Sequence, residues 1–205
     1  MLNAARQARR SALTLLVFAL VTTAILALTY ALTHDTVRAN EDAARTRLMA
    51  QTLPEGSFNN DLIADPVALN PAQRQTLGLP DNATAFIARQ DGKPVGLVFE
   101  SVAPNGYGGK IRLLVGILAN GQVSGVRVIA HKETPGLGDY IDHAKSRWSE
   151  QFSGKGIEAR WKVSKDGGDF DYMSGATISA RAVSAAVGRV VTLFDANRRQ
   201  FLAQP

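Results

Sequence analysis

The longest uncharged stretch of the chain constrains its architecture most. Residues 11–33, SALTLLVFALVTTAILALTYALT, contain no Asp, Glu, Lys or Arg. As an α-helix the stretch would extend roughly 34 Å, enough to cross a hydrocarbon core of about 30 Å with some tilt. A buried core helix and a cleaved signal peptide fit less well, because a signal peptide has an apolar region of about 7–15 residues that ends at a small-x-small site. The stretch therefore predicts an uncleaved transmembrane helix.

The charges on either side of this helix predict its orientation. Arg6, Arg9 and Arg10 crowd the N-terminal side. On the other side the acidic and basic residues cancel, namely Asp35, Arg38, Glu41, Asp42, Arg45 and Arg47. Since positive flanks stay in the cytoplasm, residues 1–10 should be cytoplasmic. Everything from His34 onward should then lie on the periplasmic side of a bacterial inner membrane.

Composition excludes several classes of protein. The formal net charge of +5 includes the three N-terminal arginines, and without them it is +2. The remaining lysines and arginines do not cluster with aromatic residues, so the sequence does not indicate a nucleic-acid-binding protein. The chain has no cysteine, which excludes disulfides, haem attached through Cys-x-x-Cys-His and thiolate-bound iron–sulfur clusters. Any redox centre should be organic.

The segment after the membrane helix changes character at Pro54. Residues 35–53 are charged and favour a helix, which predicts a stalk that extends the anchor. Residues 54–83 carry Pro54, Pro66, Pro71 and Pro80 among Asn, Asp and Gly, which is typical of an irregular connector with at most a short helical turn near 71–77. We therefore expect a stalk and connector over 34–83 and a folded domain over 84–205.

The folded domain shows the periods of strands and then of a helix. TAFIARQ and PVGLVFESV flank Asp91-Gly92, and IRLLVGIL and QVSGVRVIA flank Asn120-Gly121, which predicts two β-hairpins. We further expect a helix over 140–152, a short strand at ARWKV (159–163), and a long helix over 177–201. An apolar stripe on the last helix, formed by Val183, Val187, Val190, Phe194 and Phe201, should pack on the sheet. The predicted fold is α+β, with an antiparallel sheet and packed helices.

Common catalytic and nucleotide motifs are missing from the sequence. GYGGKI and GLGDYI both lack the last glycine of G-x-G-x-x-G, and neither a P-loop nor a G-x-S-x-G elbow occurs. His34, His131 and His143 do not form a close set of metal ligands. We therefore predict no metal site and no self-contained catalytic site.

The stretch DYMSGATISARAV places a turn of small residues directly before the last helix. Ser174 or Thr177 could simply cap that helix. The free backbone N–H groups and the dipole at a helix entrance also stabilise a phosphate, and small residues at Gly175 and Ala176 would let it approach. The Thr177 hydroxyl could then be esterified by that phosphate.

A second stretch, HKETPGLGDYI over 131–141, leads from a predicted strand into a predicted helix. A loop of this kind can lie flat against a planar ring, with Glu133 and Thr134 as polar side chains. The alternative is a plain connection in which Gly136 and Gly138 serve only the turn.

Together, ETPGLGD and the later SGAT resemble the FMN-binding domain of the RnfG/RsxG and NqrC subunits of membrane redox complexes, over about residues 107–191. The size, HKETPGLGD and SGATISARAV resemble RnfG/RsxG more. The resemblance implies one FMN, moved from FAD by a flavin transferase onto Thr177 as a phosphoester. Ser174, Gly175 and Ala176 would form the phosphate end of the site, and Asp171 would be read by the transferase with Ser174. The ring would rest against Glu133, Thr134, Pro135, Gly136, Leu137 and Gly138, bounded by Tyr107.

The same resemblance implies partners and a role. The chain would be an electron-transfer subunit of a complex that couples electron flow between ferredoxin and NAD to ion translocation. One departure is Ile178-Ser179-Ala180 after the threonine, where the family has a second hydroxyl residue followed by serine. Two alternatives stay open: a stand-alone membrane-tethered FMN protein, acting as reductase or redox sensor, and a non-flavin binding module in which SGAT is only a cap.

Overall fold

The computed structural model describes residues 2–203, without the side chains of residues 2–5, 39, 41 and 42. Met1, Gln204 and Pro205, which belong to the predicted terminal segments, lie outside the described residues, as do the side chains of Glu41 and Asp42. The chain divides into two units, Met1–Arg45 and Thr46–Pro205.

The first unit is formed by helix α1, Leu2–Ala50, which runs on into the second unit. None of its most apolar window is buried, and Leu15, Phe18 and Leu32 are about 70% exposed. The hydroxyls of Thr22 and Thr29 donate to carbonyls one turn back, at 2.8 and 2.9 Å. A helix that is apolar on every side and satisfies its own polar groups suits a lipid environment. Residues 35–50 are helical, as their composition predicted.

The second unit is built on a five-stranded antiparallel sheet. Its strands are β1 (Pro66–Ala68), β2 (Thr84–Gln90), β3 (Lys93–Ala103), β4 (Ile111–Leu118) and β5 (Val123–Ala130), adjacent in chain order. Both predicted hairpins are present. At the first turn Asp91 and Gly92 have φ of 51° and 77°, the positive values that a two-residue hairpin turn requires. Gly121, in the second turn, has φ of 93°.

The two faces of the sheet are covered by different parts of the chain. Helix α3, Thr177–Leu202, packs on one face, and every residue of its predicted apolar stripe is fully buried. The other face is covered by the end of α1 and the following loop, with Met49, Leu53 and Leu62 against Phe86 and Leu114. The predicted α+β class with an antiparallel sheet is confirmed.

Residues 54–83 contain more structure than we expected. Strand β1 pairs with β2 through Val67 and Ala85, a pairing that was not predicted. Helix α2, Pro71–Leu77, is capped by Asn70 and Gln73 in a reciprocal capping box, and it corresponds to the short helical turn expected near 71–77. This segment therefore packs as part of the second unit.

The region between β5 and α3 departs from the prediction. Instead of one helix over 140–152 there are two short 3-10 helices, Asp139–Ile141 and Arg147–Phe152. Ser146 is extended between them, donates to the Tyr140 carbonyl at 2.7 Å and accepts from the Trp148 N–H at 3.1 Å. The expected strand at 159–163 is also wrong. Only Val163 forms a bridge, with Phe170.

Candidate functional site

The two sequence motifs meet at one cleft of the second unit. The loop that follows β5 forms one wall and the beginning of α3 forms the other. The cleft has a volume of about 140 Å³ and is lined by Tyr107, Glu133, Thr134, Leu137, Gly138, Gly175, Ala176, Ile178 and Ser179. Thr177 is half-buried at the first position of α3, between two of these residues. The lining does not include four of the residues that the sequence placed at the cofactor site, namely Pro135, Gly136, Asp171 and Ser174.

The entrance of α3 has no side-chain cap. Its N-cap is Ala176, with φ of −126° and ψ of 35° and no side-chain hydrogen bond to the first turn. Gly175 before it has φ of 87°, a left-handed conformation that favours glycine. The hydroxyl cap considered from the sequence is therefore absent from this helix entrance, whose first N–H groups remain available to a ligand.

The turn that precedes α3 is held by Tyr140. The buried phenol accepts the Met173 N–H at 3.2 Å and donates to the Ala176 carbonyl at 3.3 Å. Burial raises the pKa of Tyr140, the hydrogen bond with Met173 opposes this, and the charge of Glu133 adds to the rise. One side chain thus bridges both ends of the turn that leads to Thr177.

Asp171 is presented at the surface by a fixed backbone. Its N–H donates to Gln151 Oε1 at 2.7 Å, and its carbonyl accepts from Trp148 Nε1 at 2.7 Å. The residue itself is exposed. Ser174, on the same approach to α3, is exposed as well.

The loop over residues 133–138 is a compact turn. The Thr134 carbonyl accepts the N–H groups of Leu137 and Gly138 at 3.1 and 2.9 Å. The Gly136 N–H donates to Asp139 Oδ1 at 2.8 Å. The turn leaves Leu137 41% exposed at the rim of the cleft, close to Ile178 at 44% and Tyr107 at 70%. The rim is therefore apolar.

Glu133 points inward rather than toward solvent. It is 4% exposed. Its Oε1 accepts the Gly108 N–H at 3.0 Å, and its Oε2 accepts the Ser179 hydroxyl. The sequence placed Glu133 at the cofactor site but did not identify Ser179, whose signal was only its position two residues after the candidate threonine. Ser179 joins the start of α3 to the opposite wall of the cleft.

Comparison with known proteins identifies the domains. Residues 106–192 match the model of the FMN-binding domain, and residues 1–52 match the model of the RnfG N-terminal region. The FMN-binding match includes both walls of the cleft and the whole stretch from Asp171 to Thr177. The sequence-based prediction of an FMN cofactor is thereby confirmed.

Curated relatives extend over almost the whole chain. The G subunit of the ion-translocating oxidoreductase complex of Vibrio cholerae is 42% identical over 96% of this chain and 95% of its own. Its counterpart in Pseudomonas aeruginosa is 43% identical over 97% of this chain and 94% of its own. Among solved structures, NqrC of Shewanella oneidensis superposes with a TM-score of 0.59 over 81% of this chain and all of its own, at 21% identity. That structure supports the fold, and the relatives show that the chain belongs to the RnfG family, the FMN-binding G subunits of ion-translocating oxidoreductase complexes.

Proposed function

We propose that this chain carries one FMN, bound covalently through a phosphoester to Thr177, and that it relays electrons within an ion-translocating membrane complex. The observation that carries the proposal is the uncapped entrance of α3 beside a cleft with an apolar rim. The FMN-binding domain and the family leave the attachment residue open, and the helix entrance supports Thr177.

The helix entrance fits a phosphate. The first N–H groups of α3 have no side-chain acceptor at the N-cap, and the dipole of a long helix favours negative charge there. Gly175 and Ala176 keep the approach free of bulky side chains. Thr177 is half-exposed, so its hydroxyl can be reached.

The cleft fits one part of a planar ring. Apolar surface comes from Leu137, Ile178 and Tyr107. Polar groups come from Thr134 and Gly138 on the loop after β5. A volume of about 140 Å³ is below the 300–1,000 Å³ typical of sites that enclose a ligand. The ring would therefore keep an exposed edge, as electron exchange with a neighbouring protein requires.

Attachment would need an enzyme that reads the approach to α3. Transfer from FAD would form a bond between Thr177 Oγ and the FMN phosphorus, break the pyrophosphate bond and release AMP, while the hydroxyl proton passes to a base of the transferase. The exposed Asp171 and Ser174 stand where such an enzyme could bind them. Bound FMN would supply the electron chemistry, and the chain would supply position and environment.

The cellular arrangement follows from α1. Its apolar stretch would span the inner membrane with residues 1–10 in the cytoplasm and the FMN-binding domain in the periplasm. A single span cannot form an ion path alone, so other subunits of the complex would supply it. The complex would couple electron flow between ferredoxin and NAD to ion movement. Covalent attachment would keep the cofactor from being lost by dilution outside the cytoplasm.

The attachment residue can be tested on a denaturing gel. The full-length chain is co-expressed with a flavin transferase, and gel fluorescence under ultraviolet light is compared with that of Thr177→Ala. We expect fluorescence at the mass of the chain in the wild type and none in the variant. Thr192→Ala is the matched control, because it makes the same change on α3 at a position outside the cleft and should keep the covalent flavin.

Two results would contradict the assignment. Covalent flavin retained in Thr177→Ala would place the ester elsewhere, and an unmodified peptide around Thr177 in protein isolated from its native membrane would remove the ester altogether. Purification from that membrane also addresses the stand-alone alternative. A subunit should co-purify with other subunits of the complex, whereas a stand-alone reductase or sensor should not.

A further inference from the structure

Three segments of the cleft converge on the carboxylate of Glu133. The Gly108 N–H comes from the loop between β3 and β4, the Ser179 hydroxyl comes from α3, and Glu133 itself lies on the loop after β5. The Glu133 N–H donates to His131 Nδ1 at 3.1 Å, which fixes the backbone of that loop. Both carboxylate oxygens are therefore held by groups that can donate to them, the arrangement that suits an ionised, acceptor-only carboxylate.

Close packing of glycines encloses this carboxylate. A Cβ at Gly106 would lie 2.8 Å from Oε1, and a Cβ at Gly138 would lie 3.0 Å from Oε2. Larger side chains at these positions would displace the carboxylate or open the cleft. The acid is thus fixed in one place, with little solvent around it.

The carboxylate of Glu133 has no cationic partner among the side chains that the structure describes. Among the side chains that the structure describes, the ion pairs involve other acids, and none joins a Lys, Arg or His to Glu133. Lys132, the preceding residue, is exposed. The charge of Glu133 also adds to the rise in the pKa of Tyr140, after the larger effect of burial. A buried charge is screened far less than an exposed one.

We infer that Glu133 sets the electron affinity of the bound flavin, as a fixed negative charge that opposes the addition of electrons to the ring. The inference rests on the proposed function, which places the ring against the loop that begins at Glu133. Adding electrons makes the ring more negative, and a nearby uncompensated carboxylate raises the free energy of the reduced form. Glu133 therefore keeps the reduction potential of the flavin low.

The test is a potentiometric titration of the flavin absorbance in the purified full-length chain. Glu133→Gln removes the charge while its amide can still accept from Gly108 and donate to Ser179. We expect its midpoint potential to be more positive than that of the wild type. Glu158→Gln is the matched control, because Glu158 also accepts a backbone N–H at 3.0 Å, from Gly156, but is exposed. It should leave the potential unchanged.

A second variant tests the effect of the Glu133 charge on the flavin if Glu133→Gln fails to fold or to retain flavin. Ser179→Ala keeps the negative charge of Glu133 but removes the hydroxyl that donates to its Oε2 and partly offsets that charge. The midpoint potential of the flavin should therefore move to more negative values. A positive shift or no shift in Ser179→Ala would overturn the inference, as would an unchanged potential in Glu133→Gln. Absence of covalent flavin from the wild type on the denaturing gel would instead refute the proposed function.

Discussion

Substituting alanine for Gly116 should destabilise the second unit through the contact between the sheet and the segment that follows α1. Gly116 of β4 and Gly125 of β5 are paired across the two strands. Because these glycines have no side chains, Thr52 can pack directly against the backbone of the two strands. The Thr52 carbonyl accepts the Ser124 hydroxyl at 2.6 Å. A Cβ at Gly116 would lie 2.2 Å from the Thr52 carbonyl oxygen and 2.6 Å from Ser124 Oγ. The first of these atoms is backbone, so the segment that holds it must move as a whole.

The size of the effect follows from that distance. Carbon atoms normally remain more than about 3 Å from such an oxygen, so residues near Thr52 must shift by about 1 Å, and overpacking of this kind costs about 1–3 kcal/mol. Losing the Ser124 hydrogen bond adds about 1 kcal/mol. For a unit of this size each kcal/mol lowers the melting temperature by roughly 2–4 °C. The total of about 2–4 kcal/mol is therefore expected to lower the melting temperature of Gly116→Ala by about 4–16 °C.

Gly125→Ala is the matched comparison for this prediction. A Cβ at Gly125 would meet the same Thr52 carbonyl oxygen at 3.0 Å, which requires a shift of only a few tenths of an ångström. Removing a strand glycine also recovers about 0.5–1 kcal/mol of unfolding free energy, so the variant should melt within about 3 °C of the wild type. The assay is thermal unfolding followed by circular dichroism on the full-length chain in detergent. A Gly116→Ala protein that melts with the wild type, or above Gly125→Ala, would refute the contact.

Two further predictions concern the cleft and its pH dependence. Gly138→Ala, whose Cβ would lie 3.0 Å from Glu133 and 3.1 Å from Ser179 Oγ, should reduce the amount of covalent flavin per chain in absorbance spectra. Gly125→Ala, which makes the same change outside the cleft, should keep it. Equal loss in both variants would contradict a role of close packing around Glu133. Because burial raises the pKa of Tyr140 above 10.0, its stabilisation is present below about pH 10 and is lost as the pH rises through the folded-state pKa. Melting temperatures measured from about pH 8 to 11 should therefore fall less steeply in Tyr140→Phe than in the wild type, and parallel curves would contradict this.

The sequence predicted those elements whose signals are local. The two hairpins carry alternating apolar residues and turn residues such as Asp91-Gly92, and α3 carries an apolar stripe with helical spacing over most of its length. Strand β1 is only three residues long and is defined by its pairing with β2, so nothing in its own pattern reveals it. The helix expected over 140–152 is interrupted at Ser146, whose side chain bonds to Tyr140 and Trp148. Such side-chain-to-backbone contacts compete with helix formation.

The sequence predicted where the candidate site lies but not which residues contact one another inside it. Motifs distant in sequence, ETPGLGD and SGAT, form opposite walls of the same cleft, and each contributes a segment that the sequence marks by small residues. The partners of Glu133 carry no such mark, because Gly108 lies in a loop with no recognised motif and Ser179 follows a pattern typical of an ordinary helix. Only the packing of three segments shows that one acid joins them.

Glycine has the same physical role at the cleft and on the opposite part of the sheet, and that role differs from the one the sequence suggests. By residue type alone, a glycine in a loop indicates a turn and a glycine in a strand weakens it; the glycines concerned are Gly106, Gly108, Gly116, Gly125 and Gly138. None of these five glycines has a positive φ, so a left-handed backbone conformation does not require them. A Cβ at Gly108 would lie 1.8 Å from the Lys132 carbonyl oxygen, and the two strand glycines approach Thr52. Close approach of neighbouring segments therefore explains these glycines, which admit Thr52 to one face of the sheet and enclose Glu133 at the cleft.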